Sequence, residues 1–503
     1  MVELDSIFEV GTLRIDDLFN NSDLNLSIPE YQRPYVWSES QIEEMLLDWE
    51  THFFYDGVLN SNAVEYYLGA IMIYDNDGAY EIIDGQQRLT TLLIMDYVWN
   101  LNQSVLDNGN LNFEYTSKLS FSTIKKNQNF LLSKKASLSA KHFNEIVSKL
   151  VVSVIITNSE DRAFVLFDSQ NNRGIALDEV DFFKSYHLRE LNAHEKHLKY
   201  FAKKFDAINA LNQNNKGKHL KSLNKLFVEQ LWTIRHWSKN QLYFPKRSSL
   251  LNAFQKNTVS FGKVDEIKLF PSFNNALGTS LVYNEQMQPE LKSNIKLFGS
   301  ESIDIPFTIN QPIQKGIGFF LYTEKYTSIF NYIFRDNKVS EINRINSLIY
   351  SVFNSYFINL YQAAIVQYYD KFNTENIEEF AKRLEHYLGA YRMNRSSIVE
   401  QSPIVLLRDY GNILMVIQQA YLSTEVIHAL KQFVPEYYYQ KYGYRVERDD
   451  DRIMYFVQNN NVDFTTARQN YYRQVFYFYE EYIDKDNYQL TEKHNWINES
   501  IIK

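Results

Sequence analysis

The sequence contains no cysteine and few of the residues that interrupt helices, with 16 glycines and 9 prolines among 503 residues. Without cysteine there can be no disulfide, cysteine nucleophile or thiolate zinc site, and the composition fits a reducing cytoplasm. No run of 18 apolar residues occurs, so we predict no membrane span. The first residues are acidic and lack the apolar core of a signal peptide. The scarcity of glycine and proline favours long helices.

The charge of the chain is unevenly distributed. A net charge of −9 argues against a protein that binds nucleic acid over its whole surface. However, residues 118–149 carry seven lysines against one acid, and residues 196–225 carry eight against one. Such segments are typical of solvated helix faces, but they can also follow a phosphate backbone. The candidate DNA contacts are Lys125, Lys126, Lys203 and Lys204, and Lys221 belongs to the second segment.

The length of the chain predicts two or three domains rather than one core. Short apolar runs separated by turns indicate an α/β domain over residues 1–190. From residue 191 to 503 the apolar residues recur at three- and four-residue spacing, which predicts an aromatic-rich, mainly helical region of one or two subdomains. The fold class is therefore α+β. Residues 211–217 and 271–299 are candidate linkers.

A strand, a turn and a helix follow one another around Asp84. Ile82 and Ile83 end an apolar run, Asp84 and Gly85 break it, and leucines then recur at helical spacing. The turn places Arg88 in the first turn of a helix, where free backbone N–H groups favour a phosphate. Taken alone, the pattern fits equally well a capped helix whose arginine forms a structural ion pair.

A second polar cluster lies upstream, over residues 28–37. Gln32 and Arg33 lie between two prolines that stiffen the backbone. They are predicted to reach a ligand or, alternatively, to satisfy buried carbonyl groups. Tyr31, Tyr35 and Trp37 are predicted either to stack on a base or to pack in the core. Ser38 then caps a helix.

A third block spans residues 167–184. It contains a turn with Asn171 and Arg173 before Gly174, and then a helix that starts after Asp178. The turn either directs an amide and a guanidinium toward the same pocket or is purely structural. Asp181 and Lys184, three residues apart, are first of all a helix pair and only second a functional pair.

Together the three blocks resemble the N-terminal domain of the GmrSD-type restriction proteins. The resemblance covers residues 28–184 and departs clearly from the family pattern at one position, Asp168 in place of glutamate. It implies a ParB/sulfiredoxin-like nucleotide-binding fold. The matching residues of the first two blocks are Ile28, Pro29, Tyr31, Gln32, Arg33, Trp37, Leu68, Gly69 and Asp84 through Thr91.

The resemblance also implies roles for individual residues. Asp84, Gln87 and Arg88 would serve hydrolysis, and Asp84 would either hold Mg²⁺ or orient water. The ligand would be a nucleoside triphosphate whose base the sequence does not identify. The nucleotide-binding residues would be Gln32, Arg33, Gly85, Gln86, Thr90, Thr91, Asn171 and Arg173.

Members of this family often carry a C-terminal HNH nuclease domain, whose hallmark begins His-x-x-Pro. None of the ten histidines here is followed by proline at that spacing. The expected function is therefore an NTPase sensor subunit of a bacterial anti-phage or restriction system, which acts on DNA with a separate nuclease or effector. A nucleotide-gated DNA scaffold without hydrolysis and a nuclease in its own right are the alternatives. The sequence leaves homo-oligomerisation open.

Overall fold

The computed structural model describes two compact units. Contacts between residues divide the chain into Met1–Ala210 and Leu211–Lys503, later than the predicted boundary after residue 190. The described residues are 9–29, 32–101, 103–106, 111–115, 118–135, 139–159, 178–191, 195–213, 220–261, 266–270, 279–283, 285–286, 288–293, 302–395, 397–433, 445–449, 453–457, 466–483 and 490–502.

The N-terminal unit is built around a mixed sheet of five strands in the order β1-β7-β5-β6-β2. The central strand β5 runs parallel to β7 and antiparallel to β6, and the edge strand β2 runs parallel to β6. A separate short hairpin is formed by β3 and β4. The bounds are β1 (Glu9–Arg14), β2 (Leu26–Ser27), β3 (Phe54–Tyr55), β4 (Val58–Leu59), β5 (Tyr66–Asn76), β6 (Ala79–Asp84) and β7 (Leu150–Thr157).

Seven described helices accompany this sheet in the first part of the chain. The predicted helix after Ser38 is confirmed as α2, where the Gln41 side chain accepts a hydrogen bond from the Ser38 backbone N–H at 2.8 Å. The bounds are α1 (Ile15–Asn20), α2 (Glu39–Phe53), α3 (Gln86–Asn100), α4 (Lys118–Lys134), α5 (Ala140–Val147), α6 (Glu179–Arg189) and α7 (Glu195–Gln213).

The core of this unit lies between the sheet and the buried side of α3. Ile71 and Ile73 of β5 and Val152 of β7 are fully buried in the same apolar cluster as Leu89 and Leu92 of α3. The predicted buried strand of residues 150–156 is confirmed as β7. Because α3 starts directly after β6, this packing fixes where its first turn meets the sheet.

The second unit is mainly helical, as predicted. A π-helical turn (Leu226–Trp232) joins α8 to α9, and another (Asn252–Lys256) follows α10. The bounds are α8 (Leu223–Lys225), α9 (Thr233–Trp237), α10 (Arg247–Leu251), α11 (Ile317–Phe334), α12 (Asn343–Val352), α13 (Ser355–Phe372), α14 (Ile377–Asn394), α15 (Ser402–Tyr410), α16 (Ile413–Gln419), α17 (Ser423–Phe433), α18 (Thr466–Tyr479) and α19 (Lys493–Ile502).

Two hairpins interrupt the helices of this unit. Strands β8 (Thr279–Tyr283) and β9 (Pro289–Ser293) lie within the segment that was predicted as a linker, and β10 (Arg445–Asp449) pairs with β11 (Ile453–Val457). The structure thus confirms the α+β class, with a mixed sheet followed by a mainly helical region. Across the described ranges, no helix combines the length and apolar character needed to cross a membrane.

Candidate phosphate site at the start of helix α3

The turn between β6 and α3 depends on Gly85. Its φ is +100°, a backbone conformation that L side chains rarely adopt. A Cβ at this position would lie 2.3 Å from Cδ1 of Ile71. Glycine therefore permits both the left-handed turn and the close approach of the helix start to β5.

Arg88 is held against the central strand. Its Nη1 donates to the carbonyl of Leu68 at 2.8 Å and its Nη2 to that of Ala70 at 2.6 Å. The register between β5 and β7 shifts between Tyr67 and Gly69, so Leu68 lies in an irregularity of the ladder. The Arg88 guanidinium also lies 3.7 Å from the carboxylate of Asp84. Two of its five N–H donors are thus engaged with the strand, which gives the group a fixed orientation.

Gly69 makes room for this guanidinium. Its φ is +115°, and a Cβ there would lie 1.9 Å from Nη1 of Arg88. Leu68 and Gly69 of the strand motif therefore contact Arg88 of the helix motif directly. Burial lowers the pKa of Arg88, and Asp84 opposes that change.

The two glutamines of the helix start hold the upstream loop. Gln86 donates to the carbonyl of Arg33 at 3.0 Å, and Gln87 donates to that of Pro34 at 3.1 Å. The Oε1 atom of Gln87 accepts from the backbone N–H groups of Val36 and Trp37 at 2.9 and 3.2 Å. The structure thus brings the first two sequence blocks together, as the resemblance implies, with both amides turned toward protein.

Gln32 binds the sheet rather than solvent. Its Nε2 donates to the carbonyls of Ile82 and Ile83 at 3.1 and 2.8 Å. This is the alternative in which Gln32 satisfies buried carbonyl groups. Of the aromatic residues considered for base stacking, Tyr35 is fully buried and bonds the hydroxyl of Thr91 at 2.8 Å, so it packs in the core.

The threonine hydroxyls of α3 are likewise turned into the protein. Thr90 bonds the hydroxyl of Tyr115 at 2.5 Å, and Thr91 donates to the carbonyl of Gln87 at 2.8 Å. Burial raises the pKa of Tyr115 to about 12, so this phenol keeps its proton. These side chains fix the shape of the helix start, and their assignment to nucleotide binding stays a prediction.

Arg33 lies among three carboxylates. Burial lowers its pKa, whereas Asp181, Asp84 and Asp178 oppose that change, Asp181 most strongly. Within the described part of the chain, the guanidinium donates no hydrogen bond and forms no ion pair at contact distance. None of the described residues accepts a hydrogen bond from its five donors, whereas two donors of Arg88 are engaged.

The sequence did not single out Asp181 for this site. It lies on α6 and remains partly accessible to solvent. Burial raises the pKa of its carboxyl to about 6, against the pull of Arg33. Its pairing with Lys184 in the third block was the signal, and its electrostatic interaction with Arg33 arises from how α6 packs.

The lysines predicted to contact DNA lie elsewhere, on α4 and α7. Asn171 and Arg173 fall outside the described residues. Lys125 and Lys126 are exposed on α4, although Lys126 approaches Glu39 at 3.5 Å. Lys203 is exposed on α7, and Lys204 lies over the ring of Tyr200.

One lysine of the second basic segment is not at the surface. Lys221 is buried, and its Nζ contacts Glu229 and donates to Asn359 at 2.7 Å. Its inclusion in a DNA-binding surface was therefore wrong. The sequence pattern counted its charge but could not show its carboxylate partner.

A metal ion at this site would depend on Asp84. In the part of the chain that the structure describes, no three histidine or acidic residues are grouped to hold a metal ion. Mg²⁺ in phosphate sites usually takes one or two carboxylates together with phosphate oxygens and water. A single half-buried carboxylate such as Asp84 fits that arrangement.

Two family models match the chain. The GmrSD restriction endonuclease N-terminal domain matches residues 15–188. Residues 15–188 are a GmrSD N-terminal domain. A family of unknown function, DUF7834, matches residues 197–446, and neither match is to an HNH nuclease domain. No curated protein matches the sequence. The GmrSD domain thus contains the whole cluster of Arg33, Asp84, Arg88 and Asp181, and it connects the chain to restriction systems.

Proposed function

We propose that the GmrSD domain binds a nucleoside triphosphate at the start of α3. The chain would act as a cytoplasmic NTPase sensor subunit of a bacterial restriction system directed against foreign DNA. A separate nuclease or effector would cut the DNA, since the His-x-x-Pro hallmark of the family's HNH domain does not occur in this sequence.

The observation that carries the proposal is that the Arg33 guanidinium has no hydrogen-bond acceptor among the described residues. A buried arginine normally binds carboxylates or carbonyls through several hydrogen bonds. Arg33 instead lies beside three carboxylates and donates no hydrogen bond to any described residue. Its backbone carbonyl is bound by Gln86, the first residue of α3. The guanidinium is thus placed next to a helix start, where an anion is stabilised by backbone N–H groups as well.

Arg88 and Asp84 complete the chemistry. Arg88 is oriented by two strand carbonyls, so it would offer its remaining donors to a phosphate with little loss of side-chain entropy. Asp84 would hold Mg²⁺ or orient the attacking water. The magnesium ion would neutralise charge on the phosphates, as in other phosphoryl transfers.

Calorimetric titration with Mg²⁺-bound nucleotides tests the binding step. Arg33→Ala removes a charged hydrogen bond to phosphate, so affinity should fall by roughly 10- to 150-fold, which corresponds to about 1.5–3 kcal/mol. Arg14→Ala is the matched control, since Arg14 forms an exposed ion pair with Glu65 in the same unit. Equal affinity of the folded Arg33→Ala variant and the wild type would overturn the site.

Phosphate release tests the hydrolysis step. Asp84→Asn should still bind nucleotide, but its turnover should fall well below that of the wild type. If the wild-type protein binds nucleotide yet releases no phosphate with or without DNA, the nucleotide-gated scaffold replaces the NTPase. Cleavage of DNA by the isolated chain would instead favour a nuclease.

A further inference from the structure

A buried ion pair lies behind the candidate phosphate site. Nζ of Lys184 on α6 lies 2.9 Å from Oδ1 and 3.0 Å from Oδ2 of Asp206 on α7. The Lys184 side chain is 3% exposed and that of Asp206 is 9% exposed. Lys184 also donates to the backbone carbonyl of Gln32 at 3.3 Å. The pair is therefore connected to the residue immediately before Arg33.

Gln32 is consequently held from two sides. Its side chain is bound to the carbonyls of Ile82 and Ile83 at the end of β6, and its own carbonyl is bound by Lys184. Because hydrogen bonds hold both the side chain and the carbonyl of Gln32, this residue fixes the position of the backbone at Arg33. Gln86 then binds the carbonyl of Arg33 from the other direction.

We propose that Lys184 and Asp206 are positioning residues of the phosphate site, which place the Arg33 guanidinium through the carbonyl of Gln32. The inference rests on the proposed nucleotide-binding function. Neither residue would touch the nucleotide. Asp206 would hold the Lys184 ammonium in place, and Lys184 would hold the chain that carries Arg33.

The position of Asp181 on the same face of α6 as Lys184 supports this role. Asp181 and Lys184 are one turn apart on α6, so the contact of Lys184 with Gln32 also brings Asp181 beside Arg33. An ion pair needed only for stability is dispensable in principle, because apolar residues of similar volume often replace a buried pair without loss. The contact with Gln32 is the part that such a replacement cannot reproduce.

The test separates the contribution of the ion pair to stability from its contribution to the position of Arg33. Lys184→Met or Asp206→Leu alone leaves one buried charge without its partner and should lower the melting temperature strongly. The double variant Lys184→Met/Asp206→Leu should recover most of that loss. Its affinity for Mg²⁺-bound ATP, GTP, CTP or UTP, whichever the wild type binds, should nevertheless fall by about 10-fold. Lys184→Arg keeps the charge and the donors, and it should retain more of the affinity than the double variant does.

A second measurement does not depend on nucleotide. Phenylglyoxal modifies accessible arginines, and mass spectrometry reports the rate at each position. In the double variant the rate at Arg33 should rise several-fold, while the rate at Arg14 stays unchanged. If the wild type binds no nucleotide but this rate still rises, the proposed function fails and the positioning role stands. If the folded double variant matches the wild type in both measurements, the positioning role is overturned.

Discussion

Two clusters of charged side chains, one in each unit, differ in how their charges are partnered. In the helical unit, Lys493 contacts Glu385 at 2.5 Å, and Tyr471 donates to the other carboxylate oxygen at 2.7 Å. The side chains of both charged residues are 0% exposed. In the GmrSD domain, Arg33 and Asp181 are partly buried, yet neither donates or accepts a side-chain hydrogen bond among the described residues.

This difference separates a structural network from a binding site. A fully partnered network fixes a core, whereas charges with unused hydrogen-bonding capacity cost stability and are typical of functional sites. The comparison predicts that changes in the helical unit lower the free energy of unfolding. Changes at Arg33 and Asp181 should instead alter ligand binding and pH dependence.

The largest effect is expected for Lys493→Met. Removal of the ammonium leaves the Glu385 carboxylate buried without its cation, so the free energy of unfolding should fall by about 3–5 kcal/mol. Denaturant unfolding measures this. Lys431→Met is the control, because Lys431 pairs with Glu379 at 3.0 Å while 45% exposed, and such pairs contribute about 0–1 kcal/mol. Similar losses of unfolding free energy in both variants would contradict the difference expected between a buried and an exposed ion pair.

Gly69→Ala should have the next largest effect. The new Cβ would displace the Arg88 guanidinium, and the positive φ adds backbone strain. A loss of about 3–4 kcal/mol is expected from the strain and from two charge-assisted hydrogen bonds. Gly11→Ala is the control, since nothing lies within 4 Å of a Cβ at that position in β1. Nucleotide affinity should fall in Gly69→Ala but not in Gly11→Ala. Retained affinity in Gly69→Ala would show that the orientation of Arg88 is irrelevant to nucleotide binding.

Asp181→Asn should stabilise the protein at neutral pH. The folded pKa of Asp181 is about 6 against 3.8 for the ordinary carboxyl, so the folded state holds the proton more tightly. The stabilising contribution of the protonated form is therefore complete below about pH 4 and is lost as pH rises through about 6. At pH 7 the variant should gain at most about 3 kcal/mol, and at pH 4 almost nothing.

Melting temperatures across that pH range provide the measurement. Asp178→Asn is the control, because Asp178 also acts on Arg33 but its side chain is more exposed. A gain of the same size at pH 4 and pH 7 would show that titration of Asp181 is not the cause.

The smallest effect on stability is expected at the lysines. The double reversal Lys125→Glu/Lys126→Glu should change the free energy of unfolding by less than about 0.5 kcal/mol. If α4 contacts DNA, each lost phosphate contact should reduce the slope of log affinity against log salt by about 0.9. Arg408→Glu is a charge-reversal control with half the change in net charge, at an exposed position of the helical unit. An unchanged slope would exclude α4 from the DNA surface.

The sequence predicted local elements well, because each is encoded by neighbouring residues. The break at Asp84 and Gly85, the capped helix after Ser38 and the β-branched strand at residue 150 all lie where the pattern indicated. The hairpin of β8 and β9 was missed, because a stretch with proline and glycine near its ends was interpreted as a linker.

The arrangement of the site depended on contacts between distant residues. The blocks themselves suggested that Arg33 and Arg88 act together, but not that Gln87 would bind the backbone of the loop. Nor did spacing show that Lys184 would select Asp206 and the Gln32 carbonyl as partners. Side-chain direction at these positions is set by packing of α6 and α7, which no local pattern records.

The contact between Gly69 and Arg88 also constrains how the sequence can change over time. A side chain at position 69 collides with the guanidinium, and loss of the arginine removes the steric reason for a glycine while the positive φ remains. Neither position can vary alone without cost, so intermediates between the two states are disfavoured. Across related sequences, the two positions should therefore be retained together or replaced together, and statistical coupling between them should exceed that of either with Gly11.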